Sequence, residues 1–248
     1  YSDVSGNVWP KEAIYLTGSL GIVKNLSGGS RNFGRNVPLT KEEAIAIVLR
    51  ASGREAEAYE LGVAVNNARF GNNRKTDPLE VMYDGFLQLA ANEGLITAQD
   101  MADAFSADQG QLPADAFRRK SPAQRQEMAY WLARALNIEP VRNYVELLNY
   151  TDWRTIDPDK VSYMEAILRQ GIMNGSGSRI NPRQSVTREQ GAQIIKNAEE
   201  LVLTALSYLK NQGIVEDIVQ TRDYSGETPR TGKNIILRNI NGRVSSIL

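Results

Sequence analysis

The chain has 248 residues, 42% of them hydrophobic, enough for one large core or several small ones. Lysine plus arginine (29) balances aspartate plus glutamate (29), so no global field holds the chain to nucleic acid or an acidic membrane, and any anion has to be met locally. The absence of cysteine and histidine excludes disulfides, Cys/His zinc sites, and Ser-His-Asp or Cys-His catalytic sets.

No apolar run approaches the roughly 20 residues needed to span a bilayer. The sequence opens at Tyr1 with neither Met nor a charged-then-apolar leader, which reads as a mature or trimmed piece of something longer.

From the N-terminus, Tyr1-Ser2-Asp3 leads through Trp9-Pro10 into Ala13, Leu16 and Leu20, an apolar spacing of helical period that stops at Gly21. After a polar loop, Thr40-Lys41-Glu42-Glu43 opens a second helix carrying Ile45, Val48 and Leu49. Thr40 with Glu43 fits a capping box, in which hydroxyl and carboxylate satisfy backbone donors that the helix itself leaves unpaired.

Residues 54–76 and 97–120 are insertions, expected to extend helices and loops outside the common architecture. Between and after them runs a blurred copy of the first pattern: 85–96, ending at Gly94-Leu95-Ile96, then 121–136 with Ala129, Leu132 and Leu136. The start of this second helix is ambiguous. The apolar stripe aligns Arg125 with Lys41, yet Ser121-Pro122 with Gln124 is itself a good cap with proline in the first helical position. One extra helical turn reconciles the two and is expected to spoil a site at Arg125.

The third copy is clear. Tyr150-Thr151-Asp152-Trp153 opens it, Met164, Ile167 and Leu168 run to Gly171, and Gly175-Ser176-Gly177 bends the chain. Val186-Thr187-Arg188-Glu189-Gln190 then starts another capped helix with Ala192, Ile194 and Ile195. The repeats divide the chain into 1–53, 54–138 with insertions, 139–198, and a remainder 199–248. In that remainder Leu201, Val202, Ala205, Leu206 and Leu209 continue the last helix into a longer amphipathic one over 198–220, with Gly213 as a break. Beyond Pro229, Asn234 to Ile240, Asn241-Gly242 and Arg243 to Leu248 read as a β-hairpin that starts a further region.

Capping explains Thr40, Glu43, Thr187 and Gln190 but not Lys41 and Arg188. A cation in the first turn opposes the helix dipole, which favours acids there by about 0.3–1 kcal/mol. A basic side chain beside free N–H groups at a helix start makes an anion pocket. Other chemistry is weak: Gly175-Ser176-Gly177 follows a helix and is no dinucleotide fingerprint, and neither Asp157-Pro158-Asp159 nor Glu42-Glu43 is spaced as an EF-hand or an acid/base pair. No nucleophile or acid stands out, so an enzyme is not expected, and neither is a cofactor or a metal.

Together these motifs resemble the S-layer homology family, whose module runs aromatic-x-Asp, Trp, Ala-Ile, Leu-Gly-Ile-x-x-Gly, a phenylalanine-containing loop and Thr-Arg-Ala-Glu. The resemblance covers residues 1 to about 198 as three tandem modules. It implies a mainly α fold: three helix-loop-helix repeats in a pseudo-threefold spindle, exported and held non-covalently on the bacterial wall. It also implies binding to a secondary cell-wall polysaccharide attached to peptidoglycan, often pyruvylated, and allows contact with neighbouring S-layer subunits. No nucleic acid is implied.

Carried over residue by residue, the polymer-contacting cation falls on Lys41, Arg125 and Arg188, the post-helix glycine on Gly175, and the opening aspartate on Asp3 and Asp152. Trp9 and Trp153 offer faces on which a sugar ring can pack, or else serve as core or hinge aromatics. A pyruvyl ketal presents one carboxylate, which matches one cation plus helix N–H donors. Copy one departs from the pattern with Lys41 and copy three with Gln190. Copy two lacks the threonine and the aspartate opening, with Thr76-Asp77-Pro78 its nearest substitute. Because lysine lacks arginine's two-pronged grip on a carboxylate, the sites rank third copy, first, then second. The competing reading is a helical protein–protein scaffold of the cell envelope that binds no carbohydrate.

Overall fold

The computed structural model describes residues 1–6, 8–24, 31–106, 110–211, 215–223, 230–238 and 244–247, with side chains as far as Ser207. Among them the chain is mainly helical and divides into two compact units, one of residues 37–187 and one of residues 1–36 with 188–248. These units are not the sequence repeats: the chain passes between them inside the first and third copies.

In the unit of residues 37–187, α2 (Lys41–Ala51) packs on α4 (Pro78–Asn92) and α6 (Arg125–Ala135), and α6 packs on α7 (Val161–Arg169). Ile45, Leu49, Phe86, Leu89, Met128, Leu132, Met164 and Ile167 fill the core between them. The segment 54–76, expected to extend helices and loops, forms a helix of its own, α3 (Glu55–Phe70), laid along α4. Glycines permit that contact: a Cβ on Gly85 would lie 1.7 Å from the Ala58 carbonyl oxygen, and one on Gly62 2.2 Å from that of Val81. The two backbones therefore touch directly. A shorter helix, α5 (Ala98–Ala104), follows α4.

The three segments that precede the second helices meet in this unit. Leu39 N–H donates to Val186 O (2.8 Å), Val186 N–H to Ala123 O (2.9 Å), and Ala123 N–H to Leu39 O (2.8 Å), closing a ring of three bonds. All three residues are fully buried, and a buried backbone donor needs such a partner.

In the other unit, α1 (Lys11–Ser19) packs on α8 (Arg188–Asn197), with Glu12 and Lys196 paired at 2.5 Å. The expected continuous helix over 198–220 is broken. The Ala198 N–H is shared between the Ile194 and Ile195 carbonyls, and α9 (Glu199–Asn211) restarts with two acids in its first turn. Gly213, the expected break, lies outside the described residues. Of the apolar stripe on α9, Val202 is buried while Leu201 and Leu206 are half-exposed.

Beyond α9, β1 (Val215–Asp223), β2 (Arg230–Arg238) and β3 (Val244–Ile247) pair antiparallel in that order. The Asn241-Gly242 turn lies outside the described residues.

The first helix of every copy ends alike. Gly21, Gly94 and Gly171 adopt φ of +69°, +66° and +67°. The next N–H reaches back to the helix: Ile22 to Thr17 O, Leu95 to Ala90 O, and Ile172 to Ile167 O. Glycine enters that left-handed conformation without a Cβ penalty.

Candidate functional site

Lys41, Arg125 and Arg188 each occupy the first position of a second helix. For α6 this corrects the expected extra turn. Its cap is Gln124, whose N–H donates to Glu127 Oε2 at 2.8 Å, while Pro122 lies in the preceding segment, bridged to Thr40. The apolar stripe outweighs the local Ser-Pro signal because it fixes which residues face the core. Arg125 therefore stands in register with Lys41 and Arg188.

The expected free N–H groups are not free. Lys41 N–H donates to Ser121 O (2.9 Å), Glu42 N–H to Arg119 O (3.1 Å), and Glu43 N–H to Thr40 Oγ1 (3.3 Å). Arg125 N–H donates to Gln184 O and Gln126 N–H to Pro182 O, both at 2.9 Å. The orphan donors of these helix starts are thus taken by carbonyls of the preceding loops and by the cap. Whatever attracts an anion here must be a side chain.

Arg125 reaches a loop of the third copy, donating from Nε to Ile180 O (3.0 Å) and from its terminal nitrogen to Asn174 O (2.8 Å). Asp152 clamps the same loop from within, its two oxygens accepting from Ile180 N–H and Asn181 N–H at 2.9 Å each. Gly175 N–H donates to the Tyr150 hydroxyl at 3.2 Å. A Cβ on Gly175 would sit 2.1 Å from the Tyr150 ring, so this approach requires glycine. Arg125, Asp152 and Gly175 are therefore assembled on one loop. Burial lowers the guanidinium pKa of Arg125, partly countered by Tyr150 and Asp152.

The same design recurs in the other unit with different partners. Arg188, 4% exposed, donates from Nε to Phe33 O (2.8 Å) and from a terminal nitrogen to Lys24 O, with its guanidinium 5.2 Å from the Phe33 ring centre. Asp3 accepts from Phe33 N–H (2.7 Å) and Gly34 N–H (2.8 Å). Burial pushes the Asp3 carboxyl up, but the donors of Phe33, Gly34 and Arg35 outweigh it and hold the pKa below the ordinary value. Sequence order suggests pairing Arg188 with Asp152 and Gly175; instead Arg125 holds the loop that Asp152 and Gly175 hold, and Arg188 holds Phe33, as Asp3 does.

Lys41 is placed differently. Its Nζ lies 2.8 Å from Glu127 Oε1 and 4.9 Å from the Phe117 ring centre. The aspartate of this copy is one the sequence did not suggest: Asp103 Oδ2 accepts from Phe117 N–H at 3.1 Å, as Asp3 does from Phe33. Asp77, the nearest substitute by sequence, caps α4 through Leu79 N–H. The Arg35–Glu189 pair (2.8 Å) likewise has a counterpart in Arg119–Glu42 (2.5 Å). Aromatic-x-Asp spacing could not reveal Asp103, which comes from α5 in an insertion.

The two tryptophans do not share a position. Trp9, 63% exposed, immediately precedes the Pro10 cap of α1 and lines an open groove of about 500 Å³ with Tyr15, Gln193 and Lys196. Its carbonyl accepts from Arg35 at 2.9 Å. Trp153 follows Asp152, where the first copy has the buried Val4, and is half-buried beside Tyr144 and the Arg154 guanidinium.

Among the described residues no group of three or more His, Cys, Asp or Glu side chains is placed to hold a metal ion, and no helix is long and apolar enough to cross a membrane. Residues 149–192 match the S-layer homology domain. Among curated proteins, none matches the chain. The matched segment holds Tyr150, Asp152, Gly175 and Arg188; Arg125, which completes its loop, lies outside it. The S-layer homology domain is a cell-wall and S-layer anchoring module, which associates a protein with the cell surface.

Proposed function

We propose that this chain anchors a surface protein non-covalently to the bacterial cell wall by binding secondary cell-wall polysaccharide through an acidic, pyruvylated sugar. The observation that carries the reading is the assembly of Arg125, Asp152 and Gly175 on one loop of the matched segment. In this reading the chain is three tandem modules in a pseudo-threefold spindle. The ring of bonds among Leu39, Ala123 and Val186 and the three equivalent helix ends support that arrangement. The C-terminal strands begin a downstream β region, and the protein works outside the cell without catalysis or cofactor.

The chemistry is a cation held in a shaped loop. Arg125 donates to two loop carbonyls, which holds its guanidinium in fixed orientation for a carboxylate. An aromatic face such as Trp9 offers an apolar surface for a sugar ring.

The alternative is a helical scaffold of the cell envelope. It draws on one observation: the arginines' hydrogen bonds to carbonyls also suffice as loop staples. Co-sedimentation with wall sacculi, before and after chemical removal of the secondary polymer, separates the two. Anchoring requires that pelleting depend on the polymer and weaken in Arg125→Ala and Arg188→Ala. Equal pelleting with stripped sacculi, or none with either, would leave the scaffold.

A further inference from the structure

The three helix-start cations are equivalent in sequence, but two of them, within one compact unit, differ in what neutralises them. Lys41 is already paired: Glu127 lies 2.8 Å away, and the two side chains are 15% and 12% exposed. The groove they line, about 210 Å³, also carries Asp100, Asp115, Asp157 and Asp159 against one further cation, Lys160. Lys160 is itself held by Asp159 at 2.9 Å and Asp157 at 3.4 Å. Asp100 is taken by the Thr97 N–H and hydroxyl, so the carboxylate that stands between Lys41 and an entering anion is that of Glu127. Such an anion would have to displace Glu127, leaving a largely buried carboxylate beside a like charge.

Arg125 presents the opposite case. Among the described residues no carboxylate lies within ion-pair distance of it, and its side-chain hydrogen bonds go to the Ile180 and Asn174 carbonyls. Carbonyl dipoles orient a guanidinium without cancelling its charge, and arginine does not shed its proton. Asp152 acts on Arg125 only from beyond ion-pair distance, with both oxygens taken by the Ile180 and Asn181 N–H groups, so a direct carboxylate partner is left for a ligand to supply.

We propose that Glu127 is a specificity-determining residue that closes the Lys41 groove to acidic sugars by occupying Lys41 in place of a ligand carboxylate. The acidic group of the polymer is received at Arg125 instead. The inference rests on the anchoring reading and sharpens it, since it says which equivalent positions are active and why. It places the second copy's Arg125 above the first copy's Lys41, against the order expected from the missing threonine and the extra turn in the second copy.

The test is calorimetric titration of the intact chain with the methyl glycoside of a pyruvyl-ketal monosaccharide, comparing the parent with Lys41→Ala, Arg125→Ala and Glu127→Gln. Glutamine at 127 keeps an acceptor for the Gln124 N–H, so the helix cap survives while Lys41 is released. Lys41→Ala is expected to leave affinity and stoichiometry within about twofold, and Arg125→Ala to lose one site or weaken binding at least about tenfold. Glu127→Gln is expected to add one site per chain. Its gain is read independently of whether Arg125→Ala folds. Loss in Lys41→Ala equal to that in Arg125→Ala, or unchanged stoichiometry in Glu127→Gln, overturns the inference while the parent's binding keeps the anchoring reading. A parent that binds neither the glycoside nor polymer-bearing sacculi overturns both.

Discussion

Gly175→Ala puts one methyl group where the structure has no room for it. The added Cβ would lie 2.1 and 2.8 Å from Tyr150 ring carbons and 2.6 Å from the Arg179 carbonyl oxygen. The ring can turn away, at the cost of the Gly175–Tyr150 hydrogen bond, but the carbonyl is backbone and accepts from Ser176 N–H at 2.7 Å. Overpacking of this kind costs about 1–3 kcal/mol, and a backbone clash puts the substitution in the upper half of that range. For a chain of this size 1 kcal/mol lowers the melting temperature by about 2–4 °C, so a drop of about 4–12 °C is expected in thermal unfolding followed by circular dichroism. Tyr150→Ala supplies the control. With the ring removed, the two ring clashes go and the clash with the Arg179 carbonyl stays, so Gly175→Ala must cost measurably less in that background. An unchanged melting temperature in the single variant, or an equal cost in both backgrounds, would refute the close approach and with it the reason for glycine at 175.

Asp152→Ala strands the Ile180 and Asn181 N–H groups. At about 1–3 kcal/mol for each stranded donor it should cost about 2–6 kcal/mol and raise hydrogen exchange across 179–182. In Gly85→Ala a Cβ 1.7 Å from the Ala58 carbonyl must force α3 off α4, and melting should show a loss of more than about 3 kcal/mol; a neutral result would contradict the helix contact. Acid should destabilise the chain through two carboxyls. Burial raises both Asp3 and Glu165, but backbone N–H groups outweigh it at Asp3, and Arg169 with three backbone N–H groups does so at Glu165, so both folded pKa values lie below the unfolded ones. Their stabilisation is complete above the unfolded values and is lost as pH falls through the folded ones. Stability should therefore decline below about pH 4, and Glu165→Gln should flatten that decline in acid titrations of melting temperature.

Local chemistry was legible from the sequence because it depends on near neighbours. The Thr40–Glu43 capping box and the glycine-ended first helices of all three copies need only a period and a few side chains, and they form as expected. The partners of each cation were not legible, because they depend on which segments meet in space. Arg125 and Ile180 are 55 positions apart, and Arg188 and Phe33 are 155. Nothing in the spacing of one copy says that its helix start serves another copy's loop. The buried ion pairs that the insertions make with α4 were hidden for the same reason. Asp84, fully buried, is held by Lys75 and Arg119 at 2.6 Å each, and sequence offers only scattered charges there. The break at Ala198 was missed because an apolar stripe continues through it while the backbone does not.

The exchange of partners between copies makes a prediction about energetic coupling that a copy-by-copy reading contradicts. If each repeat carried its own site, Gly175 and Arg188 would act together, since both lie in the third copy. The contacts instead group Gly175 with Tyr150, Asp152 and Arg125, while Arg188 acts on Phe33 and Lys24. Perturbations of one site should be non-additive, and perturbations of separate sites should add to within about 0.3–0.5 kcal/mol. In sacculus binding, Gly175→Ala combined with Arg125→Ala should lose less than the sum of the two single losses, because the first change already disables the loop that the second addresses. Gly175→Ala combined with Arg188→Ala should lose the full sum. Additivity of the first pair with coupling of the second would restore the copy-by-copy arrangement and refute the exchange.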